Sequence, residues 1–218
     1  MSQLIFKFPF KTKYFEQDFY VSKNNFSAYK LIESWPNWPG RWLNIFGAPG
    51  SGKTHLSKIL EKKIDKIKII NENDIDEKLI NEFNNLDCLI IDNFKSKINE
   101  KLFYSILNQS RQLENYIVIN SIESVKSINF NLKDLQSRIN SFVYIGIELP
   151  TDDLLQVIIS KTLSDKQISL NSRVSDYIIK NVDRSYEKMF KFLKELDELS
   201  LSSGKAININ LIKKVLKK

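Results

Sequence analysis

The sequence is poor in the residues that many simple site chemistries require. It has one cysteine, Cys88, set in an apolar run. One thiol excludes an internal disulfide and a cysteine-built zinc site, and reads as a buried strand residue. It has one histidine, His55, which excludes a histidine metal cluster and, given its place beside a glycine-rich loop, a Ser-His-Asp triad. No run approaches the roughly 18–20 apolar residues of a membrane helix. Residues 1–10 are apolar, but Pro9 interrupts them and no small-residue cleavage site follows. The expectation is a soluble cytoplasmic protein with no membrane partner. Arginine is scarce too: five of 33 basic residues, so the net charge of +7 is carried by lysine. Apart from Lys213, Lys214, Lys217 and Lys218 the lysines are scattered. They read as a solvated surface, with DNA contact weak or indirect. Internal repeats and Gly/Ser-rich linkers are missing as well.

What is present is alternation. Apolar runs at 42–46, 67–70, 86–91, 116–120 and 142–149 read as strands. Between and before them, residues 25–34, about 53–63, 75–84, 99–114 and 132–139 suit helices. Strands alternating with helices predict an α/β fold, a parallel five-stranded sheet flanked by helices on both faces. After Pro150 only helical spacing remains, over 151–165, 171–182, 185–200 and 208–216, with Thr151 as an N-cap ahead of Asp152 and Asp153. The expected division is an N-terminal tail at 1–24, a nucleotide-binding domain at 25–150 and a small helical lid domain at 151–218.

Residues 47–54, GAPGSGKT, fit the phosphate-loop pattern G-x-x-x-x-G-K-[ST] at every fixed position. Gly47, Ala48, Pro49, Gly50, Ser51 and Gly52 would wrap backbone N–H groups around phosphates. Lys53 would reach the β- and γ-phosphates, and Thr54 would ligate Mg²⁺. The following helix points its positive end at the anion. His55 belongs to the same neighbourhood as a packing residue, not a catalyst. Asp92, at the end of an apolar run, would hold the metal through water. The cofactor is therefore ADP or ATP with Mg²⁺. Asn93 stands where many such ATPases carry the base, and an amide cannot accept that proton, so intrinsic hydrolysis should be slow. A nucleotide-binding sheet followed by a helical lid is the layout of an AAA+ P-loop NTPase. Arg138, between the fourth and fifth strands, occupies the place from which an AAA+ subunit reaches a neighbour's γ-phosphate. The residues alone leave an ordinary surface arginine equally open.

The chain resembles the Hda-type regulators of the DnaA/Hda family over nearly its whole length. The stretches that carry this are QLIFKFP at 3–9, QDFYVS at 17–22, ESWPNWP at 33–39, GAPGSGKTHL at 47–56, IIDN at 90–93, DLQSRI at 134–139 and VDRSYEKMFKFLKELDELS at 182–200. The resemblance implies that Gln3, Leu4, Phe6 and Phe8 dock in the pocket of the DNA polymerase III sliding clamp (beta subunit). It implies that Arg138 acts in trans on ATP held by DnaA, converting the initiator to its ADP form and preventing over-initiation. With Lys218 as its last residue, the chain is expected to lack the DNA-binding domain that follows the lid in DnaA. A homo-oligomer is possible under the same resemblance. Two positions depart from the family pattern. The polar sensor at the end of the fourth strand aligns with Ile122, with Asn120 and Ser121 as substitutes. The lid sensor falls at Glu187, beside Lys188, with Arg184 one turn earlier to compensate as a nucleotide ligand. With Asn93, these changes suggest a protein that holds ADP as a switch. The competing expectation is an autonomous AAA+ ATPase, a helicase loader or DNA-stimulated remodelling factor. A small-molecule kinase is disfavoured by the helical C-terminal domain and by the lack of an arginine-rich substrate lid.

Overall fold

The computed structural model describes residues 19–217. The clamp-motif residues Gln3, Leu4, Phe6 and Phe8 lie outside them. The described chain divides into two units, 19–148 and 149–217.

The first unit is built on five parallel strands: β1 (Trp42–Gly47), β2 (Ile67–Asn71), β3 (Cys88–Phe94), β4 (Tyr116–Ser121) and β5 (Val143–Ile147), in the order β2-β3-β4-β1-β5. Five helices connect or precede them: α1 (Phe26–Glu33), α2 (Lys53–Glu61), α3 (Glu77–Phe83), α4 (Glu100–Leu113) and α5 (Lys133–Ile139). Successive strand side chains point to opposite faces, so each strand feeds two cores. Leu43, Ile45, Cys88, Ile90 and Val118 pack with Leu56, Ile59 and Leu60 of α2 and with Ala28 and Ile32 of α1. Leu89, Ile91, Ile117 and Ile119 pack on the other face with Phe83 of α3, Phe103 and Leu107 of α4, and Leu135 and Ile139 of α5. Burial on both faces explains why these strands read as continuous apolar runs. It also pushes the Cys88 thiol pKa up, because a thiolate there would be desolvated.

One polar residue inside the sheet is a fold determinant. Asn44 on β1 is fully buried. Its amide donates to Ile119 O at 3.0 Å and Ser121 Oγ at 2.8 Å, and its Oδ1 accepts from Val125 N at 2.9 Å. It thereby pins the turn after β4 onto β1. Asn44→Ala should cost about 2–3 kcal/mol, since it strands a buried Val125 N–H. The check is urea unfolding; an unchanged midpoint would contradict this role.

Two expectations need correction. The tail was expected to run to residue 24, yet residues 19–24 belong to the sheet unit. Asn25 explains this: its Oδ1 accepts from Ser22 N at 2.8 Å, its Nδ2 donates to Tyr20 O at 2.9 Å, and Glu148 N donates to Asn24 O at 3.2 Å. The third strand also extends past Asp92 to Phe94, with a register shift between Ile91 and Phe94 and a left-handed backbone at Asn93 (φ 57°).

The second unit contains four helices: α6 (Asp152–Ser164), α7 (Ser172–Asn181), α8 (Tyr186–Ser203) and α9 (Ile209–Leu216). Each begins with a side-chain cap, from Thr151, Asn171, Ser185 and Asn208 respectively, accepting a first-turn N–H. Leu155, Ile159, Ile178, Met189, Leu193 and Ile212 form its core. α8 runs three residues past its expected end because its stop is Gly204, at φ 62°, rather than the serines before it. Among the described residues no helix is long and apolar enough to cross a membrane.

Candidate nucleotide site and a displayed arginine

The phosphate loop leaves the carboxyl end of β1, where the connections of β1 and its neighbour β4 depart on opposite faces of the sheet. That is where open parallel sheets place ligands. Gly50 and Gly52 take φ values of 80° and 99°, open to residues without a Cβ. At Gly47 a Cβ would come within 2.7 Å of Ile147 O. Lys53 opens α2 and folds over the loop, donating to Gly47 O at 2.6 Å and Ala48 O at 3.1 Å. Burial of its ammonium lowers the pKa from the ordinary 10.5, only partly offset by the Asp92 carboxylate.

Thr54 Oγ1 donates to Asp92 Oδ2 at 2.8 Å. The hydroxyl and the carboxylate that the sequence assigned to one metal are thus adjacent. The other Asp92 oxygen accepts from Asn120 Nδ2 at 3.0 Å, and the same Nδ2 lies 2.7 Å from Ser57 Oγ. Asn120 is fully buried, whereas Ile122 is exposed. The polar residue at the end of β4 that meets Asp92 is therefore Asn120, a correction to the alignment with Ile122. Asn120 Oδ1 is a buried acceptor without a hydrogen-bond partner among the described residues. Such an atom beside a Thr–Asp pair suits the water shell of a hard cation. Among the described residues no cluster of three His, Cys, Asp or Glu exists that would cage a metal by itself. The donor set fits Mg²⁺, which keeps waters and shares phosphate oxygens. Asn93 turns away: its Nδ2 donates to Asn71 Oδ1 at 3.0 Å and its side chain is exposed.

His55, next to Thr54, makes an aromatic contact. Its ring meets Phe19 edge-on, with centroids 5.3 Å apart, and Phe19 stacks on Tyr29 at 5.7 Å. Phe19 covers the loop so closely that a Cβ on Gly52 would lie 2.8 Å from its ring. This aromatic contact was not legible in a segment without periodicity.

Arg138 lies elsewhere. α5 packs on the sheet face opposite α2, so Arg138 is carried on the other side of the sheet from the helix that follows the phosphate loop. Its Nε donates to Asn108 Oδ1 of α4 at 3.0 Å, and no ion pair engages it among the described residues. The helix beneath it is anchored at both ends. Glu100 Oε1 accepts from Asn131 N and Asn131 Nδ2, each at 3.1 Å, and Oε2 from Leu132 N at 2.7 Å. These bonds hold the Glu100 pKa below its ordinary 4.5. The sign follows: a depressed carboxylate stabilises α5 at neutral pH and loses that effect as pH falls through its folded value. At the other end Tyr144 donates its hydroxyl to Ile139 O, and burial pushes its pKa up to about 12.

In the helical unit, Arg184 donates to Asp152 Oδ2 at 3.1 Å and is largely exposed. Lys188 pairs with Asp183, and Glu187 is exposed on the first turn of α8.

Fold and loop together define a class: an AAA+ P-loop module, a five-stranded parallel sheet flanked by helices and followed by a small helical domain. Comparison with known proteins narrows this. Residues 152–216 match the family described as "Hda, lid domain". The chain is similar to the chromosomal replication initiator protein DnaA of Buchnera aphidicola, 28% identical over 217 residues that span 88% of this chain and 49% of that protein. In fold it is similar to domain III of DnaA from Thermotoga maritima, with a TM-score of 0.78 at 22% identity, covering 96% of this chain and 98% of that one. AMPPCP-bound DnaA from Aquifex aeolicus gives 0.71 at 21% identity, covering 88% and 67%. The chain spans about half the length of the curated relatives it matches. It is thus similar to DnaA in sequence and carries the AAA+ fold.

Proposed function

We propose that this chain is a regulator of replication initiation that holds ADP and supplies Arg138 to ATP bound by DnaA. The observation that carries the reading is the arginine itself. Arg138 is fixed through Nε by Asn108, keeps its Nη groups out of ion pairs with described residues, and rides on the sheet face away from its own α2. A guanidinium so held suits phosphate oxygens of another molecule, where it would stabilise the charge that develops on the transferring group. The lid match and the DnaA relationship favour DnaA as that molecule. The test is hydrolysis of ATP already bound to DnaA, followed in one turnover after this chain is added. Acceleration supports the reading, and an unchanged rate contradicts it.

Gly47 to Thr54 and Asp92 would hold the adenine nucleotide and Mg²⁺, with Asn120 against Asp92 in the place of the strand-end sensor. Bound Mg²⁺ would neutralise phosphate charge. In the helical unit Arg184 is held by an exposed pair with Asp152, which costs little to release. Asn93 leaves the chain's own site without a base, which favours a nucleotide switch over an autonomous ATPase.

The resemblance adds a tether to the DNA-loaded sliding clamp through Gln3, Leu4, Phe6 and Phe8. Changing Gln3→Ala together with Leu4→Ala should remove retention on immobilised clamp while leaving nucleotide affinity intact. Undiminished retention would remove the tether.

A further inference from the structure

The phosphate loop, Asp92 and Arg138 do not account for Glu100. It sits in the first turn of α4, where Asn99 Oδ1 already accepts from Lys101 N and Leu102 N. Its carboxylate reaches out of that helix to another segment, 31 and 32 residues along the chain. It takes three N–H donors there, from the two residues just before α5. The N-cap position of α5 is Leu132, whose side chain accepts nothing, and Glu100 instead ties down the N-cap amide and the residue before it. Eight residues further along α4, Asn108 grips Arg138. One helix therefore holds both the start of α5 and the guanidinium near its end.

We propose that Glu100 is a positioning residue for Arg138: by clamping the entry of α5 to α4, it keeps Arg138 Nε on Asn108 and its Nη groups out of ion pairs with described residues. The inference rests on the reading that Arg138 acts on ATP of a second AAA+ module, but its structural half is independent of that reading. Short helices do not hold themselves: α5 has seven residues, too few to be stable without tertiary ties. Carboxylate–amide bonds are the strong class of such ties. Without them α5 can shift on its α4 contacts, and the bond at Arg138 Nε, at the far end of a long side chain, is the sensitive reporter.

The experiment uses the full chain in three forms, wild type, Glu100→Gln and Glu100→Ala, with circular dichroism and urea unfolding to confirm that each folds. The first readout is hydrogen exchange of the Arg138 Nε–H by NMR, which needs no partner. Exchange should be faster by roughly tenfold in Glu100→Ala, the equivalent of one charge-assisted hydrogen bond, and by less in Glu100→Gln, whose carbonyl still accepts. The second readout is the single-turnover hydrolysis of DnaA-bound ATP against the concentration of this chain. The maximal rate should fall by a similar factor while the half-saturating concentration stays within about twofold. Unchanged Arg138 Nε–H exchange in folded Glu100→Ala overturns the proposal, whatever happens with DnaA. Faster exchange with no stimulation even by wild type upholds the positioning and rejects the trans-acting reading instead. Equal loss from a general unfolding shows as a lowered urea midpoint without rescue by Glu100→Gln, and that too overturns it.

Discussion

Arg138→Ala is expected to abolish stimulation of DnaA's ATP hydrolysis, by about 10³-fold or more, the range an arginine supplied in trans contributes to phosphoryl transfer. The size follows from what the residue would do. A planar guanidinium offers two Nη groups to the γ-phosphate oxygens as charge accumulates there, in a site from which water is excluded. Only a charge-stabilising contact realised in the transition state lowers the maximal rate this far. The variant should fold normally, because Arg138 makes one side-chain bond, to Asn108, and no ion pair among described residues. Its nucleotide affinity and clamp retention should be those of the wild type. Arg138→Lys should recover little, since an ammonium cannot span two oxygens from the same position. Stimulation by Arg138→Ala at the wild-type rate would refute the assignment.

The second large effect is expected at Lys53. Lys53→Ala should weaken ADP and ATP binding by roughly 30–100-fold, equivalent to about 2–3 kcal/mol for a charged contact to phosphate. Lys53 rests on the carbonyls of Gly47 and Ala48 at 2.6 and 3.1 Å, with its ammonium partly desolvated. A phosphate replaces those neutral acceptors with an anion and so favours the ammonium charge that burial disfavours. Calorimetric titration measures the affinity. The thermal midpoint gives a second view, because saturating ligand at about 100 times its Kd adds roughly 2.7 kcal/mol to the folded state. The wild type should show that upward shift, and Lys53→Ala should lose it while keeping its ligand-free midpoint. An unaltered affinity would mean that the loop does not bind the phosphates through this lysine. The two variants separate the roles: Lys53→Ala removes the chain's own nucleotide, and Arg138→Ala removes only the action on another's.

Much of this was legible in the sequence because it is local. The central strands β3 and β4 are apolar runs buried on both faces, and β1 is one broken only at Asn44, while the edge strands β2 and β5 are half-buried. The phosphate loop needs fixed residue types at fixed spacing, and Arg138 stands out among so many lysines. What escaped was set by tertiary register. Asn120 and Ile122 are two residues apart, and only the folded chain, in which β4 ends at Ser121 and Asn120 Nδ2 reaches Asp92 on β3 at 3.0 Å, shows which one meets Asp92. Glu100 looked like an ordinary first-turn acid, since its partners lie 31 and 32 residues away. Glu72 was equally opaque: buried just after β2, it accepts from Lys95 N at 2.8 Å and Lys97 N at 2.5 Å and fixes the turn that follows β3. The boundary near residue 24 was misplaced because Phe19 and Asn25 make contacts that no periodicity announces.

The most direct measurement is a structure of this chain bound to DnaA that carries AMPPCP, a non-hydrolysable ATP analogue. The account predicts Arg138 Nη atoms within about 3 Å of the analogue's γ-phosphate oxygens, the distance of a charge-assisted hydrogen bond, with Nε still on Asn108. Arg138 lying far from that phosphate, with a different cation in its place, would contradict it.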